Sequence, residues 1–208
     1  MTPLEHFNAA WERCNQLSAL HTYLSGHLTA ALTLDELLRA EWVSRVSALD
    51  LYVHEAVAQN MMAIFDGTRP TAAGFLRFQL SADTLIKVRT APSEVEARAA
   101  VELEIRTRIG FSSFQDPEKI ADAVRLISDI PLWNAVAAKL GATPAVQVDA
   151  AKTLRRELSL IVDRRNKIAH EGDLQPGTPL TPWPIARPDV HYVSELIHRI
   201  VMAIDEII

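Results

Sequence analysis

A single cysteine, Cys14, leaves the chain unable to form an internal disulfide, so a disulfide-stapled secreted scaffold is excluded. No charged and then apolar leader opens the sequence. No uncharged stretch reaches the ~18 residues of a membrane span. The expectation is a protein of the reducing cytoplasm, neither secreted nor membrane-spanning. Positive charge is also outnumbered: 21 Lys and Arg against 26 Asp and Glu leave a net charge of −5, which argues against a protein that coats nucleic acid by bulk attraction. No internal repeat appears, and no β-rich segment is long enough to build a sheet. Outside one motif described below, His6, His21, His27, His191 and His198 lack the spacing or carboxylate company of a metal site. Neither a metal nor another cofactor is expected.

What the chain does have is apolar content of 49% with 23% charged residues over 208 residues, enough for one domain with a good core. The pattern is helical throughout. Residues 3–24 carry Leu4, Phe7, Trp11, Cys14, Leu17 and Leu20 at helical spacing. Thr33 opens TLDE, a capping-box pattern with Glu36, and predicts a helix over 33–65 whose stripe runs Leu38, Trp42, Val46, Leu49, Val53, Val57, Met61, Ile64. Residues 66–145 are cut into short helices by GTRP, APSE, FQDPE, DIPLW and GATP. Ser93 with Glu96 repeats the capping pattern, Pro117 suits a first helical turn, and the phenylalanines of IGFSSFQDPEKIADAVRLI read as core. A third long helix spans 146–171 and stops at Gly172; the proline-rich DLQPGTPLTPWPIARPD follows as an extended loop, and 190–208 forms the last helix.

The third long helix poses a question. Between Lys152 and Ala169 six cations face two anions, a local net charge of +4 in an acidic chain. Such focus suggests one anion site rather than a broad surface. Arg165 falls on the same stripe as Leu154, Leu158, Ile161 and Ile168, where a guanidinium costs several kcal/mol unless something meets it. A carboxylate, Asp50 or Glu55, would make it a buried ion pair; a bound phosphate would make it functional. Asn166 and His170 share another face, with His170 about 140° from Arg165. An imidazole suits proton transfer and an arginine fork suits phosphate. The bland reading of His170 is a histidine favoured by the helix dipole. Lys152, Arg155 and Arg156 read as solvated charge.

The spacing Arg165-Asn166-x-x-x-His170 resembles the Arg-x4-to-6-His signature of the HEPN superfamily. LLRAEWVSRVSALDLYVHEAV, IGFSSFQDPEKIADAVRLI and IVDRRNKIAHEGDLQP, in that order, are similar to its RiboL-PSP branch. The resemblance covers about residues 34–207. It implies an all-α fold, a single domain spanning 1–208 with a HEPN-like four-helix bundle core (3–24, 33–65, 146–171, 190–208) and a helical insertion between the second and third core helices. It also implies a homodimer with the two motifs facing one another, and a metal-independent endoribonuclease, a toxin or defence effector, with Arg165, Asn166 and His170 as catalytic residues. Arg164 and Lys167 are candidates for RNA contact. Asp50 and His54, four apart, either orient Arg165 or form a solvated pair. An antitoxin protein is a candidate partner. Gly172 stands where HEPN toxins modified by a paired nucleotidyltransferase carry tyrosine, which argues against that subtype. The alternatives are a non-catalytic HEPN module that binds a nucleotide or partner in the same groove, and a purely structural helical dimer.

Overall fold

Thirty-one residues without glycine or proline make α2, Asp35–Phe65, the axis around which the other helices gather. The computed structural model describes residues 1–28 and 33–208. Among them the chain is all-α. Its other helices are α1 (Pro3–His27), α3 (Ala82–Thr90), α4 (Glu94–Gly110), α5 (Pro117–Val124), α6 (Leu132–Lys139), α7 (Gln147–Glu171) and α8 (Arg187–Ile207), with a short 3-10 turn at Phe75–Arg77. The eight residues of the expected α2 stripe are all buried, and Tyr52, Ala56 and Met62 are buried beside them. The helix is covered on more than one side because α1, α4, α5, α7 and α8 all pack on it.

Helix ends follow local chemistry. Thr2 and Glu5 form a reciprocal capping box at α1, with Glu5 N–H donating to Thr2 Oγ1 (3.2 Å) and Thr2 N–H to Glu5 Oε2 (2.7 Å). At α2 the expected Thr33 box is not made: the helix begins after Leu34 with no side-chain cap, and the Glu36 carboxylate instead accepts from Arg39 Nη1 at 2.8 Å. Ser93 makes half of its box, accepting Glu96 N–H at 3.3 Å. Pro117 occupies the first turn of α5, and Asp116 caps it by accepting from Glu118 and Lys119 N–H. The first helix runs three residues beyond the expected end, and its Leu20 is exposed.

The middle region is not peripheral to the core. Ile105, Ile120, Ile127 and Val136 are buried in the same cluster as Phe7, Leu49, Leu158 and Ile200. Helix α6 packs on both α7 and α8, and so fixes the flank of the motif helix. The expectation that both phenylalanines of the GFSSF segment are core holds for Phe114 alone. Phe111, the residue that ends α4, is 88% exposed.

Candidate functional site

Leu158, Ile161 and Val162 bury the inner face of α7, with Leu154 and Ile168 packed against the core at its edge. Trp42 on α2 holds the middle of the helix by donating its indole N–H to the Ile161 carbonyl at 3.0 Å. The helix ends where glycine permits it: Gly172 adopts φ 68°, a left-handed cap whose N–H returns to the Lys167 carbonyl.

Arg165 is half-buried and donates Nη1 to Asn166 Oδ1 at 3.0 Å, while its Nε is buried with no acceptor among the described residues. It forms no ion pair with a described carboxylate. Asn166, Lys167 and His170 are exposed, and Lys167 likewise has no described ion-pair partner. Arg165 and Asn166 are therefore in contact, while His170 lies a turn further along at a different angle. One chain does not bring all three onto one small group.

The neighbour, Arg164, is held quite differently. Its Nη2 donates to Asp173 Oδ2 (3.2 Å) and to the Pro184 carbonyl (2.8 Å), and its guanidinium lies 5.1 Å over the Trp42 ring. Asp173, fully buried, also receives Arg39 Nε at 3.2 Å, and Arg39 Nη2 donates to the Trp183 carbonyl at 2.7 Å. Trp183 N–H in turn donates to the Asp173 carbonyl at 2.7 Å. One aspartate and two arginines thus latch the proline-rich segment back onto α2 and α7. That segment folds back on itself as a hairpin rather than running as the extended loop expected: Leu174 bridges Pro182, and Gln175 N–H donates to the Thr181 carbonyl. Asp173 is the structural centre that the sequence reading missed. Its signal was a lone carboxylate directly after the helix-ending glycine, with Arg39 and Arg164 beside the stripes of two long helices.

The carboxylates offered for Arg165 are spent elsewhere. Asp50 accepts Phe114 N–H (2.5 Å) and Gln115 Nε2 (3.3 Å), so it caps the turn after α4; His54 lies 3.7 Å from it, with its ring 4.5 Å from that of Phe114. Neither Asp50 nor His54 contacts Arg165. Glu55 pairs with both Nη atoms of Arg106 (2.8 and 3.1 Å), which holds its carboxyl below the usual range. The motif guanidinium remains without a counter-ion among the described residues.

Among the described residues no group of three or more His, Cys, Asp or Glu is placed to hold a metal ion. No helix there is long and apolar enough to cross a membrane. The fold and site therefore define an all-α protein with a focused basic helix end. Comparisons with protein-family models, with curated proteins and with solved structures yield no match.

Proposed function

We propose that this chain is a metal-independent endoribonuclease, a toxin or defence effector of the cytoplasm, built on a HEPN-like core of α1, α2, α7 and α8 and active as a homodimer. The observation that carries the reading is Arg165: a half-buried guanidinium with no carboxylate partner, five residues before an exposed histidine. An uncompensated cation at such a position is explained by a phosphate that arrives with the substrate.

In this reading a base, His170 of one protomer, removes the 2′-OH proton, and the 2′-oxygen attacks the adjacent phosphorus. The phosphorus–5′-oxygen bond breaks, and an acid protonates the departing oxygen. Arg165 neutralises charge on the five-coordinate phosphate, and Asn166 orients Arg165 through its amide oxygen. Products are a 2′,3′-cyclic phosphate and a 5′-OH. Because Arg165 and His170 are about 140° apart on one helix, a second copy of the motif across a two-fold axis supplies the missing group. The second reading is a non-catalytic module that binds a nucleotide or a partner such as an antitoxin through the same groove.

The test is incubation of the purified protein with RNA in EDTA. Cleavage is expected for wild type and lost in His170→Ala, whose side chain is exposed and whose removal leaves the core intact. RNA with 2′-O-methyl at the scissile position should be inert. Equal cleavage by His170→Ala ends the proposal, and saturable nucleotide binding without turnover selects the second reading.

A further inference from the structure

The outer face of α7 carries more than the motif. Counted at about 100° per residue, Lys152, Arg156, Ser159, Asp163, Asn166, Lys167 and His170 fall within about 100° of one another, on one line along the helix. Lys152, Arg156, Asp163, Asn166, Lys167 and His170 are exposed and Ser159 is half-buried, so the line is an open polar face. From Lys152 to His170 it is about 27 Å long.

At its far end lies a hollow of about 310 Å³ between α5 and α7, lined by Pro117, Glu118, Lys152, Arg155, Arg156 and Ser159. Two of its cations already have partners: Arg155 pairs with Glu118, and Lys152 with Asp149 at 3.1 Å. Arg156 has no described ion-pair partner, and at the near end Lys167 has none. The face therefore presents two uncommitted cations, a third paired with Asp149, and one opposing carboxylate with no described ion-pair partner, Asp163.

We infer that this face is a track for single-stranded RNA, running from the α5–α7 hollow to His170 and gripping the phosphates upstream or downstream of the bond to be cut. The inference rests on the ribonuclease reading for its choice of ligand, and it adds a substrate class: an unpaired strand several nucleotides long, held through its backbone. Its length fits about eight nucleotides at ~3.4 Å per stacked nucleotide, fewer for an extended strand. A single narrow row of cations matches one strand, whereas a duplex offers two phosphate rows across a groove. Lys152 and Arg156 read as ordinary solvated charge in the sequence. What changes their meaning is that they share a face with His170 and border a hollow.

Asp163 makes the idea testable in both directions, since a carboxylate on a phosphate track must oppose binding. A fluorescein-labelled 2′-O-methyl oligouridylate of about twelve nucleotides serves as a non-cleavable probe of the full-length protein, within the range of single-strand site sizes. The Lys152→Glu/Arg156→Glu double variant should weaken its binding by about tenfold or more and lower the salt dependence by about 1.4 in log–log slope, at about 0.7 per phosphate contact. Asp163→Asn should tighten binding. Melting temperature should be the same in all three proteins, because these side chains are exposed. Unchanged affinity and salt slope in the double variant overturn the track. So does a wild-type protein that ignores the probe while the double variant loses its dimer, which assigns the face to a second copy of the chain. If the probe binds as expected and no RNA is ever cut, the track stands and the ribonuclease reading falls.

Discussion

Arg164 and Arg165 are adjacent in sequence and opposite in circumstance. The first has a counter-ion: carboxylate, carbonyl and indole face all meet it, and through Asp173 it shares its counter-charge with Arg39, although its Nε, like that of Arg165, is buried with no acceptor among the described residues. The second has an amide neighbour and no carboxylate among the described residues. A helix turns each successive side chain by about 100°, so neighbours can serve unrelated purposes. Here one arginine closes the fold and its neighbour is left open to a ligand. Basic runs should accordingly be read residue by residue, by what each cation already holds.

The largest effect should come from the closed side. Asp173→Ala would leave two buried or half-buried guanidinium groups without their shared carboxylate and unlatch the Trp183–Pro184 strand, at a cost of about 3 to 5 kcal/mol in stability. Urea denaturation measures it. Arg165→Ala, by contrast, should change stability by under about 1 kcal/mol, since no carboxylate is orphaned. If the two variants are equally destabilised, the contrast between the neighbours is wrong and Arg165 is structural after all.

A conservative change sharpens the open side. Arg165→Lys keeps the charge but loses the planar fork that can hold two phosphate oxygens, so RNA cleavage should fall by about 100-fold, nearly as far as in Arg165→Ala, with melting temperature unchanged. A fully active, normally stable lysine variant would make charge alone sufficient. Single-turnover cleavage of one oligonucleotide by both variants decides between them.

Periodic features were the legible ones. The α2 stripe, the breaks in the middle region and the Gly172 stop follow from helical spacing and from residues that end helices, and those forces act within a few residues. Of the candidate site, helical spacing grouped Asn166 with His170 on one face, whereas the hydrogen bond that Arg165 donates to Asn166 across that spacing was not legible. Partners distant in sequence were not legible either. Arg39 and Asp173 are 134 residues apart, and Asp50 turned to the backbone of Phe114, 64 residues on, rather than to Arg165. Nothing local distinguishes a carboxylate that will cap a turn from one that will pair with an arginine. Thr33 does not cap α2 because the helix starts at Asp35 and puts Leu34 at the cap position, and Glu36 then pairs with Arg39.

The smallest expected effect isolates Glu55, the other carboxylate once offered to Arg165. Its bidentate hydrogen bond from Arg106 holds its carboxyl below the usual range against the opposing effect of burial. The folded state therefore binds the proton more weakly than the unfolded chain does. The stabilisation is fully present above the unfolded carboxylate value, near ~4.3, and is lost as pH falls through the lower folded value. Glu55→Gln should remove that part of the acid-side loss, giving a shallower fall of stability with pH, and should cost about 1 to 2 kcal/mol at neutral pH by breaking a charged hydrogen-bonded pair. Chemical denaturation of wild type and variant from neutral pH down through the carboxylate range measures both. RNA cleavage should not change, because Arg106, not Arg165, holds this carboxylate. A variant with normal stability and reduced cleavage would mean that Glu55 reaches the motif arginine in the assembled dimer, and Arg165 would then have a counter-ion like its neighbour.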